Sequence, residues 1–189
     1  MCSAFGPFGA PEPLTGLGLD VDTLGPVFSA DGLTLFFSAI DGDENIFSAV
    51  RAPGSPEFAP AVAVPNLDAD GSEEGTPFLS FDGGSLYFFS TRPGPLVQGG
   101  RDIWVARRAS ADAPFGEPSV LPGVNGPGLE HLPRLSRDEL SIFFVSGRES
   151  PNEASNLWVA RRDDRSQAFA APVEVDGINT NAREEGFSL

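Results

Sequence analysis

Apolar and aromatic residues fall in short runs along the chain, and most runs are bounded by Gly, Pro, Asp or Asn. The clearest example is the phrase FLSFDGGSLYFFSTR, which begins at Phe78, and similar phrases begin at Phe28 and at Leu135. The runs are about four to eight residues long, and they lack the apolar spacing of an amphipathic helix. The pattern predicts short β-strands joined by many turns.

The phrase belongs to a longer unit of about 50 residues, which occurs three times in the same internal order. Pro26, Pro77 and Pro133 stand at matching positions in the three copies. The second phrase of the unit is NIFSAVR, DIWVARR or NLWVARR, and the third begins with a phenylalanine at position 58, 115 or 169. Self-similarity of this kind is the signature of a repeat architecture.

Each unit is predicted to contain four short strands, named A to D. Strand A lies around residues 26–29, 77–80 and 133–136, and strand B covers 34–38, 85–90 and 141–146. Strand C contains 46–50, 103–107 and 157–161, and strand D covers 60–64, 118–124 and 172–178. A four-stranded sheet with two apolar faces must be covered by neighbouring sheets, as the blades of a β-propeller are.

The expected fold is therefore all-β, built of propeller blades with four antiparallel strands each. Blade 1 covers residues 25–74, blade 2 covers 75–130 and blade 3 covers 131–184. Residues 8–22 are predicted to be strand D of a preceding blade, and 185–189 the start of a further blade. Because propellers have about four to eight blades, we expect a part of a larger ring or an open array. Open edges would favour edge-to-edge self-association.

A tight turn is predicted between strands A and B of each blade, at the motif Ser-x-Asp-Gly. Asp accepts hydrogen bonds from turn amides, and Gly readily adopts the positive φ of a tight hairpin. The turn residues are Ser29, Asp31 and Gly32 in blade 1, Ser80, Asp82 and Gly83 in blade 2, and Ser136 and Asp138 in blade 3. Glu139 replaces the glycine in blade 3, so that turn is expected to be strained or of another type.

These residues resemble the WD40-like, TolB-type (PD40-like) propeller repeat of bacterial proteins over residues 25–185. The matching positions are Pro77, Ser80, Asp82, Gly83, Leu86, Phe88, Ser90, Arg92 and the run Asp102-Ile103-Trp104. Blade 1 departs from the pattern at Ala39, Ile40 and Phe47. The resemblance implies a scaffold that often binds other proteins, usually outside the cytoplasm. We accordingly expect a periplasmic or extracellular protein.

Composition narrows the class of partner. The formal net charge is -15, and such an acidic surface repels nucleic acid and anionic lipid. No apolar stretch approaches the roughly 20 residues that span a bilayer, and no signal peptide is visible at the start. Cys2 is the one cysteine, so an internal disulfide is excluded. A cysteine so near the start is also a candidate for a lipid anchor.

The candidate binding surface is the end of the blades that carries the B–C and D–A loops, because these loops are long and variable. This end is expected to be acidic. Its candidate residues are Asp41, Asp43, Glu44, Asp68, Asp70, Glu73 and Glu74, together with Arg92, Arg101 and Arg148.

One acidic loop resembles the first half of a calcium-binding loop. Asn66, Asp68 and Asp70 place oxygen ligands at alternate positions, and a glycine follows. Pro77 stands where the bidentate glutamate of such a loop belongs, so calcium is a weak candidate and no other cofactor is expected. No catalytic residues are predicted, since a lone histidine, His131, cannot form a metal cluster and no G-x-S-x-G motif occurs.

Three functions remain open from the residues alone. The first is a non-enzymatic propeller scaffold that binds a protein or a peptide at the cell envelope. The second is the propeller domain of a prolyl-oligopeptidase-type hydrolase, and the third is a glycan-binding propeller. The first is preferred because no catalytic arrangement is visible, and because a fold alone does not define a function.

Overall fold

The computed structural model describes residues 9–148, 155–180, 184 and 186–188, and these residues form twelve strands. The first four strands are β1 Thr23–Phe28, β2 Thr34–Asp41, β3 Asp43–Val50 and β4 Val62–Ala63. The next four are β5 Glu74–Leu79, β6 Ser85–Ser90, β7 Asp102–Arg107 and β8 Ser119–Val120. The last four are β9 Glu130–Leu135, β10 Ser141–Ser146, β11 Asn156–Arg161 and β12 Val173–Glu174. Across this part of the chain there is no helix, and so none that could cross a membrane.

The strands form three separate sheets, each with four strands in sequence order. All of the pairings within the sheets are antiparallel. This arrangement confirms the predicted all-β fold of four-stranded antiparallel blades. The second blade begins at Glu74 and the third at Glu130, so each of these glutamates lies on the first strand of its blade.

The fourth strand of each blade is shorter than predicted, with two residues in β4, β8 and β12. A proline limits the start of each of these strands, and a turn at residues 65–67, 122–124 or 176–178 limits its end. Pro118 directly precedes β8, Pro172 directly precedes β12, and Pro60 lies two residues before β4. Proline has no backbone N–H to donate to a strand ladder, so regular pairing begins only after it.

Each first strand has an irregularity in its pairing with the second strand, of the kind a β-bulge produces. The residue before the repeated proline has a positive φ in every blade: 58° at Gly25, 49° at Thr76 and 54° at Leu132. The first strands also meet one another at this level. A Cβ added to Gly25 would lie 3.2 Å from the Cα of Thr76, and the Leu132 N–H donates to the Thr76 hydroxyl over 3.1 Å.

The A–B turns have one common hydrogen-bond pattern. In blade 2 the Ser80 hydroxyl donates to the Asp82 carboxylate over 2.7 Å, and that carboxylate also accepts the N–H of Gly84 over 2.9 Å. Blades 1 and 3 repeat both contacts. Glu139 adopts a φ of 60° where the other blades have glycine, so blade 3 has the same turn with a residue for which that conformation is costly.

Two apolar clusters join the three blades. One holds Phe36 of β2 against Phe88 and Trp104, and the other holds Tyr87 against Phe144 and further residues of blade 3. Phe88 and Tyr87 point to opposite faces because they are neighbours on one strand. Trp104 and Trp158 are both buried between blades, and β1 contacts β5 while β5 contacts β9. The first strands of the blades therefore lie side by side.

The outer face of blade 1 is covered by the segment before β1. Leu17, Leu19 and Val21 pack against a cluster that includes Leu35 and Phe37, and the Ala61 N–H donates to the Leu17 carbonyl over 2.8 Å. Residues 9–22 cover this face of blade 1, but they contain no strand, in contrast to the predicted strand D. Of the two expected terminal pieces, residue 8 of the first and residues 185 and 189 of the second lie outside the described residues.

Candidate functional site

A cavity of about 390 Å³ lies where the first strands of the three blades meet, and we call it the axial pocket. Its lining residues are Pro26, Val27, Phe78, Phe81, Arg134, Leu135, Arg137 and Ser188. A smaller cavity of about 140 Å³ adjoins it between blades 1 and 2, where Ala30 is part of the wall. Both cavities lie toward the A–B turns, at the end of the blades opposite the predicted acidic loops.

The pocket wall is built from two positions of the repeat. The residue after the repeated proline is Val27 in blade 1, Phe78 in blade 2 and Arg134 in blade 3. The residue after the turn serine is Ala30, Phe81 and Arg137 in the same order. None of these residues was predicted as part of a site. They could have been recognised because their residue type changes from blade to blade at positions within a phrase that otherwise repeats.

Arg134 is a half-buried cation with an apolar neighbour. Its guanidinium lies 5.7 Å from the centre of the Phe78 ring, and its Nη1 donates to the Pro133 carbonyl over 2.8 Å. Burial lowers the pKa of Arg134, and no nearby charge contributes to this pKa shift. Arg137 lies 5.2 Å from the centre of the Phe81 ring. Within the described ranges, neither arginine forms an ion pair.

The pocket also exposes apolar surface. Phe81 is 58% exposed and Phe28 is 47% exposed, although both lie beside the cavities formed by the first strands. A solvent-exposed aromatic side chain next to an unpaired cation is suited to a ligand with both an apolar and an anionic group.

Three of the predicted residues of the acidic loops lie close together in the structure. The Glu73 carboxylate accepts from the Arg101 guanidinium over 2.8 Å, and that guanidinium lies 4.2 Å from the centre of the Phe89 ring. Glu44 accepts from the Ser38 hydroxyl over 2.7 Å. Burial raises the pKa of Glu44, while the Ser38 hydrogen bond and then the Arg101 charge oppose that increase.

Two other predicted residues, Glu74 and Arg92, are used inside blade 2. The buried Glu74 carboxylate accepts from the Ser90 hydroxyl over 2.6 Å and lies 3.1 Å from the Arg92 guanidinium. Arg92 also donates to the Leu67 carbonyl. We call this arrangement a Glu–Ser–Arg cluster. It joins the first two strands of blade 2 to each other and to Leu67 in the segment that precedes them, so these side chains have a structural role.

Blade 3 repeats the Glu–Ser–Arg cluster with Glu130, Ser146 and Arg148. The Ser146 hydroxyl donates to Glu130 over 2.6 Å, and the Arg148 guanidinium lies 3.5 Å from the same carboxylate oxygen. Burial raises the pKa of Glu130, and the hydrogen bond from Ser146 is the largest opposing contribution. Arg148, predicted as a binding residue, therefore holds strands together as Arg92 does.

The remaining predicted residues do not form a shared site. Asp41, Asp43, Asp68 and Asp70 are exposed. The Asn66 side-chain amide donates to the Phe115 carbonyl over 2.7 Å and so links two blades. Over the residues that the structure describes, no group of three or more His, Cys, Asp or Glu side chains could hold a metal ion. The role of the exposed acids in binding stays a prediction.

No family model matches the chain, and no curated protein matches it. The chain is similar to the solved structure of the periplasmic gluconolactonase PpgL of Pseudomonas aeruginosa, with 19% sequence identity and a TM-score of 0.50. That match covers 84% of this chain and 42% of the gluconolactonase. A structure from a study of two prolyl endopeptidases matches with 16% identity, a TM-score of 0.46 and coverage of 83% of this chain and 22% of that one.

The fold and the likeness to the gluconolactonase together define the class of this chain. It is a β-propeller-type protein with three described four-stranded blades. The chain spans less than half the length of the gluconolactonase, and at this level of identity the likeness concerns the fold alone.

Proposed function

We propose that the protein is a non-enzymatic propeller scaffold that binds a protein or a peptide in the axial pocket. The observation that carries the proposal is the pocket itself. It has a volume of about 390 Å³ and combines the rings of Phe78 and Phe81 with two arginines that have no acidic partner among the described residues. Binding sites are commonly concave, mostly apolar and equipped with a few polar groups.

The proposal is supported by the way the pocket is built. Its walls come from the first strands and from turns that are held by Ser–Asp hydrogen bonds, so the site is largely formed before a ligand arrives. A rigid wall reduces the ordering cost of binding, which favours capture of a short flexible segment. Pocket residues that differ between blades also give the two sides of the pocket different chemistry.

Selection from a displayed peptide library tests the proposal. Val27→Trp fills the pocket, whereas Phe81→Ala removes an exposed part of its wall, so the two variants weaken binding for different reasons. Val62→Trp is the matched control, because Val62 is 61% exposed on the outermost strand of blade 1. Selected peptides should bind the unchanged protein and V62W, and should bind V27W and F81A weakly. Equal binding to all four proteins would contradict the proposal.

We also propose that the chain belongs with the WD40-like, TolB-type repeats and acts in the periplasm or outside the cell. The support is the repeated phrase with its Pro77, Ser80 and Asp82 positions and the run at Asp102. Fractionation of producing cells tests the location. Recovery of the mature protein with cytoplasmic markers would contradict it.

A further inference from the structure

We infer that the axial pocket recognises a carboxylate carried beside an apolar side chain, as in an acidic residue or the C-terminus of a peptide. This inference rests on the proposed function, and it names the chemical group that the pocket would select. A guanidinium binds a carboxylate through two parallel hydrogen bonds, which makes arginine well suited to this role.

The unpaired state of Arg134 is the first support. A charge that is partly removed from water lowers the stability of a protein unless an opposite charge or hydrogen bonds compensate it. Among the described residues, Arg134 has a backbone carbonyl and the Phe78 ring for compensation but no carboxylate. An incoming carboxylate would supply the missing partner.

The second observation in favour of the inference is that the aspartates next to the pocket residues in sequence have other hydrogen-bond partners. Asp31, Asp82 and Asp138 each accept a hydrogen bond from the serine of their own turn. Asp82 also lies 3.9 Å from the Arg165 guanidinium. These acids stabilise the turns, and over the described ranges none of them lies within ion-pair distance of Arg134 or Arg137.

The apolar part of the ligand has its own surface. Phe78 and Phe81 line the same cavity as the two arginines, and each ring lies beneath one guanidinium. A ligand that places an aromatic or aliphatic group next to its carboxylate can therefore contact both kinds of surface at once. This geometry disfavours a highly hydrated anion such as free phosphate.

Three labelled peptides separate the possibilities: Phe-Phe-Glu amide, Phe-Phe-Gln amide, and Phe-Phe-Gln with a free C-terminus. Anisotropy titrations should show the two carboxylate peptides binding about tenfold more tightly than the neutral one, because a charge-assisted bond is lost in the latter. The stronger of the two identifies a side-chain or a C-terminal carboxylate as the preferred source.

Protein variants complete this test. Arg134→Gln and Arg137→Gln should remove the preference for a carboxylate, while Arg107→Gln, at the exposed end of β7, should keep it. Equal binding of all three peptides to every protein would overturn the carboxylate inference and leave the scaffold function intact. If no peptide bound at millimolar concentration, the axial pocket would fail as a peptide site, and both proposals with it.

A second inference concerns Glu184, one of whose carboxylate oxygens is buried without a hydrogen-bond partner in the described part of the chain. We infer that Glu184 is the carboxylate of a third Glu–Ser–Arg cluster, to be completed by a strand that carries a serine with an arginine two residues later. The occupant is a strand of a further copy of this repeat.

The surroundings of Glu184 reproduce those of Glu130. The Glu130 N–H donates to the Arg101 carbonyl over 2.8 Å, and the Glu184 N–H donates to the Ser155 carbonyl over 2.9 Å. One carboxylate oxygen of each glutamate accepts a backbone N–H at 3.0 Å from the residue four positions earlier. The two glutamates are therefore at equivalent places in their repeats.

The asparagines that precede the two glutamates are equivalent as well. The Asn125 side chain accepts the Ile103 N–H over 2.7 Å and donates to its carbonyl over 3.1 Å. The Asn179 side chain makes the same pair of bonds to Leu157, over 2.8 Å and 3.1 Å. Gly186 has a φ of 80°, in keeping with the positive φ before the repeated proline in each first strand.

The second carboxylate oxygen distinguishes the two places. In Glu130 this oxygen accepts from Ser146 and contacts Arg148. In Glu184 the Oε2 atom is buried and has no hydrogen-bond partner in the described part of the chain. A buried carboxylate oxygen without a partner is costly, so the geometry favours a strand that supplies the same two donors.

The peptide Ser-Leu-Tyr-Phe-Phe-Ser-Thr-Arg, copied from residues 85–92, is the probe for this site. It should bind the unchanged protein and the control variant Glu117→Gln, and bind Glu184→Gln about tenfold more weakly. A peptide with alanine at its second serine and at its arginine should show the same loss. V27W should not change binding, which separates this site from the axial pocket. Absence of binding, or equal binding to E184Q, would overturn the inference.

Discussion

Glu130 accepts a hydrogen bond from the Ser146 hydroxyl over 2.6 Å, across the first two strands of blade 3. Glu74 and Ser90 have the same relationship over the same distance in blade 2. In each case an arginine two residues after the serine completes the contact. Burial of the carboxylate makes this contact a strong determinant of stability, because losing a donor leaves a buried charge without compensation.

Arg148→Ala should therefore lower the free energy of unfolding by about 3 kcal/mol. The matched control is Arg161→Ala, because Arg161 lies exposed at the end of β11. Urea unfolding of both variants provides the measurement. A loss for R148A no larger than that for R161A would show that the Glu–Ser–Arg cluster contributes little. The double variant E130Q/R148A should lose less than the sum of the single changes, since the residues are in contact.

Gly83→Ala should lower stability by about 1 kcal/mol, because Gly83 has a φ of 71° and an alanine is strained there. The added Cβ itself has room, since its nearest neighbour would be the Arg108 side chain at 3.5 Å. The loss would thus come from the backbone conformation rather than from a clash. Thermal unfolding measures it, and an unchanged melting temperature would contradict the conformational explanation.

Gly99→Ala should be more disruptive, by about 2 kcal/mol, because overpacking against backbone cannot be relieved by a side-chain movement. A Cβ on Gly99 would lie 1.9 Å from the Gly128 carbonyl oxygen. Gly147→Ala is the control, since nothing lies within 4 Å of a Cβ at that position. Chemical denaturation should separate the two variants, and a neutral G99A would show that the 99–128 contact is loose.

The pH dependence of stability should reveal the A–B turn of blade 2. The hydrogen bond from Ser80, followed by the N–H of Gly84, lowers the pKa of Asp82 below its ordinary value of 3.8. A lowered pKa in the folded state means that Asp82 stabilises the protein above pH 3.8, and that this contribution is lost as the pH falls through the folded pKa. Asp82→Asn should therefore be less stable than the unchanged protein at pH 6.

The difference between the two proteins should shrink as the pH is lowered toward 2, where Asp82 is increasingly protonated. Melting temperatures of both proteins over this range provide the measurement. The two proteins must be compared with each other, because burial raises the pKa of Glu74 and Glu130 and so changes the stability of both proteins with pH in the opposite direction. A difference that stays constant down to the lowest pH would contradict the assignment of the turn aspartate.

Calcium should leave the melting temperature unchanged relative to EDTA. Asp68 and Asp70 are exposed, and over the described residues no group of three or more His, Cys, Asp or Glu side chains could hold a metal ion. A ligand raises stability only through preferential binding to the folded state. A clear rise in the melting temperature in millimolar calcium would restore the metal site that the loop sequence suggested, and the Asp70→Asn variant would then show whether this loop holds the ion.

The blades were predictable because each strand is a local pattern with its own turn signals. Asp82 and Gly83 mark a hairpin without reference to any distant residue, and Trp104 marks an apolar C strand. The D strands were predicted less well, since turns at residues 122–124 and 176–178 end the pairing inside segments that the apolar pattern assigns to a single strand. Local chemistry thus determines most of the fold.

The axial pocket could not be predicted in the same way. Arg134 meets Phe78 across two blades, and this contact depends on how the first strands lie beside one another. The prediction that Glu74 and Arg92 are binding residues has a related weakness. Glu74 and Arg92 are charged residues next to loops, and the repeat cannot show that they turn inward to each other and to Ser90.

In each first strand and its turn, some residues form the turn and others line the cavity, and this separation affects how ligand preference can change between related proteins. The proline, serine and aspartate of the phrase maintain the turn, whereas Val27, Phe78 and Arg134 face the shared cavity. Changes at the cavity positions leave the hairpin chemistry untouched. Duplication of a blade would add two new wall residues at once. Substitution at these positions could then change the ligand preference while the residues of the apolar core stay the same.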